Sequence, residues 1–229
     1  MKDFNRATFL AGSLAAAGAL FPSAAESATP PAPSGVPPER LLGRLMAGNQ
    51  RFVDNDFPPT NTLQTKRELL KSSQAPFAAI LACADSRVVP NLIFVQGIGD
   101  LFVARVAGNC PDDYVIASLE YAVEHLGTRL IMVLGHEGCG AVAAVYEALQ
   151  TKKPLPPHLF EIQELMGPGI ESVVQARGTQ EAAVEANVRA GIATLKASHP
   201  VIAESVESGR VLVAGGYYHL VSGEVSLVD

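Results

Sequence analysis

The chain has 229 residues, 48% of them hydrophobic, with 17 Lys and Arg against 23 Asp and Glu for a formal net charge of −6. That acidic balance argues against nucleic acid or an anionic membrane surface as the main partner. Three cysteines, Cys83, Cys110 and Cys139, are an odd number, so in an exported protein at least one thiol is free, metal-bound or paired between molecules.

The first 27 residues read as an export signal. Lys2 and Arg6 supply a short positive region, Thr8–Phe21 is an apolar run of 14 residues, and Ser23 and Ala25 stand where a signal peptidase reads small side chains. The run is too short to cross a hydrocarbon core of about 30 Å, so cleavage is expected rather than anchoring. "NRATFL" is similar to a twin-arginine signal with Ala7 in place of the second arginine. Sec-type and twin-arginine export both stay open, and either predicts a periplasmic or secreted protein. Residues 28–38, containing "TPPAPSGVPP", form a proline-rich linker unable to enter a helix interior or a central strand. Residues 39–229 suffice for a single catalytic domain with a substantial core.

After the linker, "PPERLLGRLMAGNQRFVDN" places proline at a helix start and Leu41, Leu42, Leu45, Met46 and Phe52 at helical spacing. "TLQTKRELLKSS" predicts a second, short helix. "FAAILAC" is an apolar run of strand length ending at Cys83, and "DLFVARV" is another. "DDYVIASLEYAVEHLG" predicts a helix, acidic at its start and closed by Gly127. "TRLIMVLG" is a third strand ending at Gly135, followed by the helix "CGAVAAVYEALQ". Residues 158–199 read as helical with an interruption at "GPG". "RVLVAGGYY" is a fourth strand, and "GEVSLVD" a short last one after a turn at Ser222-Gly223. Strands apolar on both faces and alternating with helices predict an α/β fold with a mostly parallel central sheet flanked by helices.

Two segments carry more chemistry than a turn needs. In "ACADSRVVP", residues 82–90, an Asp or Ser suffices to cap a helix, and Cys83 and Arg87 are surplus to that job. Ser86 is expected to keep the capping role. In "LGHEGCGAV", Gly135, Gly138 and Gly140 let the backbone bend so that His136 and Cys139 face one point. In open α/β sheets ligands bind beyond the carboxyl ends of the strands, where Cys83 and His136 both fall. Two thiolates and an imidazole suit Zn²⁺ with a fourth tetrahedral position left for water.

"CADSR" and "HEGCG" together resemble the signature of the beta-class carbonic anhydrases. The similarity extends through "GNQRF", "GDLFVARVAGN", "SLEYAVEHL" and "GGYYHLVSGEV", nearly the whole chain after the linker. Val106 stands where the family often has asparagine, and "IGDLF" replaces "PGDLF". The resemblance implies Cys83, His136 and Cys139 as zinc ligands and Asp85 with Arg87 as the catalytic pair. It implies Gln74, Phe102 and Tyr121 as substrate-pocket residues, the tyrosine reaching across from a partner subunit, and His125 as a proton shuttle. It also implies a homodimer or tetramer and the reversible hydration of CO2 to bicarbonate by a zinc-bound hydroxide. In a closed form, Asp85 would leave Arg87 and become zinc's fourth ligand, which predicts a pH-dependent switch. The resemblance gives Cys110 no ligand role.

Rival readings are a cysteine-nucleophile hydrolase, a permanently closed zinc-binding relative, and a CS2 or COS hydrolase of the same fold. The first leaves Asp85 and Arg87 without a role and lacks a nucleophile elbow.

Overall fold

The computed structural model describes residues 35–58 and 63–229, so the export signal expected over 1–27 and most of the linker lie outside the described residues. The fold is built on two strands with no exposed side, β1 (Ala78–Ala82) and β3 (Leu130–His136), in which every residue is buried. Alternate side chains go to opposite faces. Ala79, Leu81, Ile131 and Val133 enter one core, and Ala78, Ile80, Ala82, Leu130, Met132 and Leu134 enter the other.

With β2 (Leu101–Arg105), β4 (Leu212–Tyr218) and β5 (Val225–Val228), these strands form one sheet in the order β2-β1-β3-β4-β5. The first four run parallel, and β5 pairs antiparallel with β4. β5 follows a tight turn at Gly223 (φ +78°).

Helices cover both faces, as a parallel sheet requires. On one side α1 (Pro38–Val53) buries Leu41 and Leu45 beside Ile93 of α3 (Pro90–Ile93), a short helix that the sequence pattern did not announce. The "GNQRF" segment explains itself here. A Cβ on Gly48 would overlap the Phe94 carbonyl. Buried Asn49 donates to the carbonyls of Ile93 and Gly223 and accepts from the Val225 N–H, tying α1 to the β4–β5 hairpin.

The other side is covered by α4 (Asp113–Glu124), α5 (Gly140–Thr151), α6 (Leu159–Gln175), α7 (Gln180–Lys196) and α8 (Val201–Glu207). α2 (Leu63–Leu69) lies before β1. Asp112 caps α4 by accepting from the Val115 N–H, and Gly127 (φ +68°) closes it as expected.

One expectation is corrected. "GPG" does not interrupt the helix: Pro168 sits inside α6. Met166, Ile170 and Val174 hold one buried face through that point, and the flanking glycine Gly169 admits Ala190 of α7 where a Cβ would collide. The chain breaks instead at Arg177-Gly178, after which Thr179 caps α7. α8 is an additional helix beyond residue 199, too short for periodicity to reveal. No helix among the described residues is long and apolar enough to cross a membrane.

Candidate active site

The order β2-β1-β3 sends the chain to one side of β1 and brings it back on the other, which opens a crevice between the carboxyl ends of β1 and β3. Cys83 directly follows β1, and His136 is the last residue of β3, which runs one residue past the expected end at Gly135. Cys139 stands at the N-cap of α5, returned toward His136 by Gly138 at φ +62°. The ligand atoms of Cys83, His136 and Cys139 all lie within 4.8 Å of one another, and all three residues are buried. The two sulfurs are 4.0 Å apart.

The hydrogen bonds around this group fix what each atom offers. His136 Nδ1 lies 2.9 Å from the Glu137 carbonyl, which can only accept, so Nδ1 donates and Nε2 presents a lone pair. Nε2 is buried without a protein partner. Such an atom costs about 1–3 kcal/mol unless something binds it. Cys83 Sγ accepts from the Gly108 N–H at 3.3 Å. The hydrogen bond with Cys139 pulls the Cys83 thiol well below its usual range, burial opposes this, and the Gly108 N–H assists it. The same shared bond and burial push Cys139 up. Two sulfurs and an orphaned imidazole nitrogen form a donor set suited to zinc.

Beside them, Asp85 Oδ1 accepts from the backbone N–H of Arg87 at 2.9 Å and from its Nε at 2.9 Å, and Oδ2 accepts from Nη2 at 2.7 Å. This fork holds the Asp85 carboxyl well below the ordinary carboxylate range, the Arg87 side chain being the largest cause. The structure therefore has Asp85 on Arg87, the arrangement opposite to the closed form. The capping expectation for Ser86 is corrected. Asp85 itself makes the local turn bond, α3 starts at Pro90 without a side-chain cap, and Ser86 is exposed.

The other residues that the resemblance implies lie elsewhere. Phe102 pairs in register with Ala79, four residues before Cys83, which is about 13 Å back along the strands. The Phe102 and Tyr121 rings lie 6.4 Å apart, and those of Tyr121 and His125 5.1 Å apart. Gln74 and Tyr121 line a cleft of about 480 Å³ with Ile98, Gly99 and Leu126. Gln74, Phe102, Tyr121 and His125 thus gather at the amino end of the sheet, and the metal-capable group at its carboxyl end.

The carbonic anhydrase family model matches residues 78–225. The chain is 37% identical over 185 residues to a carbonic anhydrase of Mycolicibacterium smegmatis, covering 80% of this chain and 89% of the relative. It is 36% identical over 189 residues to carbonic anhydrase 2 of Mycobacterium tuberculosis, covering 81% and 90%. The solved structure of the beta-carbonic anhydrase CcaA superposes with a TM-score of 0.68 at 29% identity, covering 82% and 87%.

The chain belongs to the beta-class carbonic anhydrase family.

It is therefore an enzyme of the lyase class with a metal-capable Cys/His/Cys group. Sequence reasoning about this carbonic anhydrase missed the residues that hold the site loops. Arg105, the last residue of β2, donates to the carbonyls of Cys83 (3.0 Å) and Asp85 (2.5 Å). Gln180 donates to the Cys139 carbonyl (3.2 Å) and Asn187 to the Gly108 carbonyl (2.8 Å). Glu137 accepts the Leu220 N–H through Oε2 (2.9 Å), tying the His136 loop to the β4–β5 hairpin. The sequence shows an arginine closing an apolar strand and an asparagine within the apolar stripe of α7, but nothing in it names the carbonyls they meet.

Proposed function

We propose that this enzyme catalyses the reversible hydration of CO2 to bicarbonate and a proton, with Zn²⁺ held by Cys83, His136 and Cys139. The observation that carries the reading is the buried Cys/His/Cys group, with its orphaned Nε2, beside a carboxylate gripped by arginine. A zinc ion held there supplies the Lewis acidity that makes water nucleophilic at neutral pH. Asp85, kept ionised by Arg87, accepts a hydrogen bond from the attacking water and turns its lone pair toward the carbon of CO2. Closing the site with Asp85 as fourth ligand would require it to give up its three hydrogen bonds to Arg87.

Gln74 donates to the developing bicarbonate oxygen, Phe102 and Tyr121 line the apolar approach for CO2, and His125, exposed at the end of α4, passes the proton outward. Because these four lie at the other end of the sheet from Cys83 in the same chain, they act on the metal group of a second copy. The working unit is a homodimer, with pairing into a tetramer open to it. Tyr121 (49% exposed) and Ile98 (44%) are apolar surface available for that contact. The export signal read over residues 1–27 supports a periplasmic or secreted location for this chemistry.

Metal analysis and stopped-flow CO2 hydration between pH 7 and 9 test the reading. One zinc per chain with hydration activity is expected. A zinc-loaded protein inactive across that range contradicts it.

A further inference from the structure

Helix α7 touches the metal group's supporting loops at two points. Gln180 and Asn187 are seven residues apart, and with Val184, Val188 and Gly191 they fall on one helix face. The apolar members of that face pack against β3, where Val184 and Val188 fill the space a Cβ on Gly135 would need, and Gly191 lies on Val133. Asn187, 4% exposed in this stripe, is a polar residue in a place that apolar residues otherwise fill. Its amide Nδ2 donates to the Gly108 carbonyl at 2.8 Å, a contact spanning 79 positions of sequence.

Gly108 in turn donates its N–H to Cys83 Sγ at 3.3 Å. It has φ +72°, and a Cβ there would overlap the terminal methyl of Met166 and crowd Ala141. The loop therefore makes this bond only with glycine, in a left-handed conformation that L side chains avoid. Nothing in Gly108 itself holds that conformation, because glycine is free to leave it. The Gly108 carbonyl accepts from the Cys110 thiol at 3.5 Å and from Asn187 at 2.8 Å, and the shorter amide bond supplies the main restraint.

We propose that Asn187 is a positioning residue of the metal centre, holding Gly108 so that its N–H stays aimed at the Cys83 sulfur. An N–H directed at a ligating thiolate withdraws charge from the sulfur, so less is donated to the metal, which stays the stronger Lewis acid. Partners in this outer layer commonly change metal affinity or activity about 10- to 100-fold when removed. The inference rests on the reading of Cys83 as a metal ligand.

Asn187→Leu keeps roughly the volume and removes both polar ends, and Asn187→Ala removes the amide altogether. Val184→Ala on the same helix face is the packing control. Zinc affinity by competition with a chromophoric chelator, and the sulfur-to-cobalt charge-transfer band of Co²⁺-loaded protein, are the readouts. Both Asn187 variants should bind zinc about 10-fold or more weakly and shift the band, while Val184→Ala lowers Tm and leaves both readouts in place. Zinc affinity within about 2-fold of wild type and an unmoved band would overturn the proposal.

Should the Asn187 variants not fold, wild-type protein labelled with ¹⁵N-glycine and loaded with ¹¹³Cd decides it. The Gly108 amide proton should lie downfield and couple to cadmium through the sulfur, and absence of both contradicts the proposal. A wild-type chain that binds no metal overturns the reading of the site and this inference together. A normal metal content with no Asn187 effect overturns the inference alone.

Discussion

The two ends of one sheet are built by opposite rules. At the carboxyl end, Cys83, His136 and Cys139 are buried, and their loops are held by Gly108, Glu137, Gln180 and Arg105 of the same chain. At the amino end, Gln74 and Tyr121 line an open cleft, with Tyr121 half exposed and the His125 ring 5.1 Å from it. Buried polar donors need partners inside the fold, because each one left unpaired is costly. Groups that only touch substrate carry no such requirement and can be delivered by another copy of the chain. If the site is divided as proposed, assembly is a condition of activity without being a condition of metal binding.

The sharpest way to break the comparison is at the carboxyl end. Cys83→Ser or His136→Ala should lose zinc, measured by elemental analysis, and drop CO2 hydration to background. A variant that keeps both would remove the metal reading.

Next in size, Asp85→Asn and Arg87→Ala should keep zinc and lose about 10²–10³-fold in kcat/KM. Arginine holds the Asp85 pKa down, so the carboxylate form is present above its ordinary titration range and is lost only as pH falls through the lowered value. Wild-type hydration should accordingly show no acidic limb from Asp85 in the ordinary carboxylate range, whereas in Arg87→Ala that limb returns upward into that range.

At the amino end the effects should be smaller and independent of metal. Gln74→Ala or Tyr121→Ala should cost about 10- to 100-fold in kcat/KM with full zinc content. Zinc loss in either variant would mean that the two ends are one site.

The smallest effect concerns a thiol at the edge of the carboxyl end, Cys110, which donates to the Gly108 carbonyl at 3.5 Å. Burial pushes Cys110 from its ordinary value near 9 up to about 12. A raised thiol pKa contributes stability below pH 9 that is lost as pH climbs toward 12. Cys110→Ala should therefore lose less Tm than wild type between pH 8 and 10.5, with zinc content unchanged.

Much of this was legible in the sequence because burial on both faces leaves an unmistakable mark. β1 and β3 are unbroken apolar runs, and the residues that end them, Cys83 and His136, are chemically out of place in such runs. "GPG" misled because a proline's missing N–H is a local signal, while the packing of Gly169 on Ala190 that carries α6 through it is tertiary. Ser86 misled for a similar reason, since Asp85 can satisfy the turn and meet Arg87 at once. Arg105, Gln180 and Asn187 were invisible because they act on backbone carbonyls many residues away, and such contacts leave no spacing to read.

The division of the site is tested most directly by hybrid dimers. Cys83→Ser chains keep the amino-end pocket and lack the metal, and Gln74→Ala/Tyr121→Ala chains keep the metal and lack the pocket. If a pocket serves the partner's metal, a co-expressed hybrid has one complete site of two. Stopped-flow hydration should then recover about half the wild-type rate per dimer. A hybrid no faster than the sum of its two parents would contradict the account.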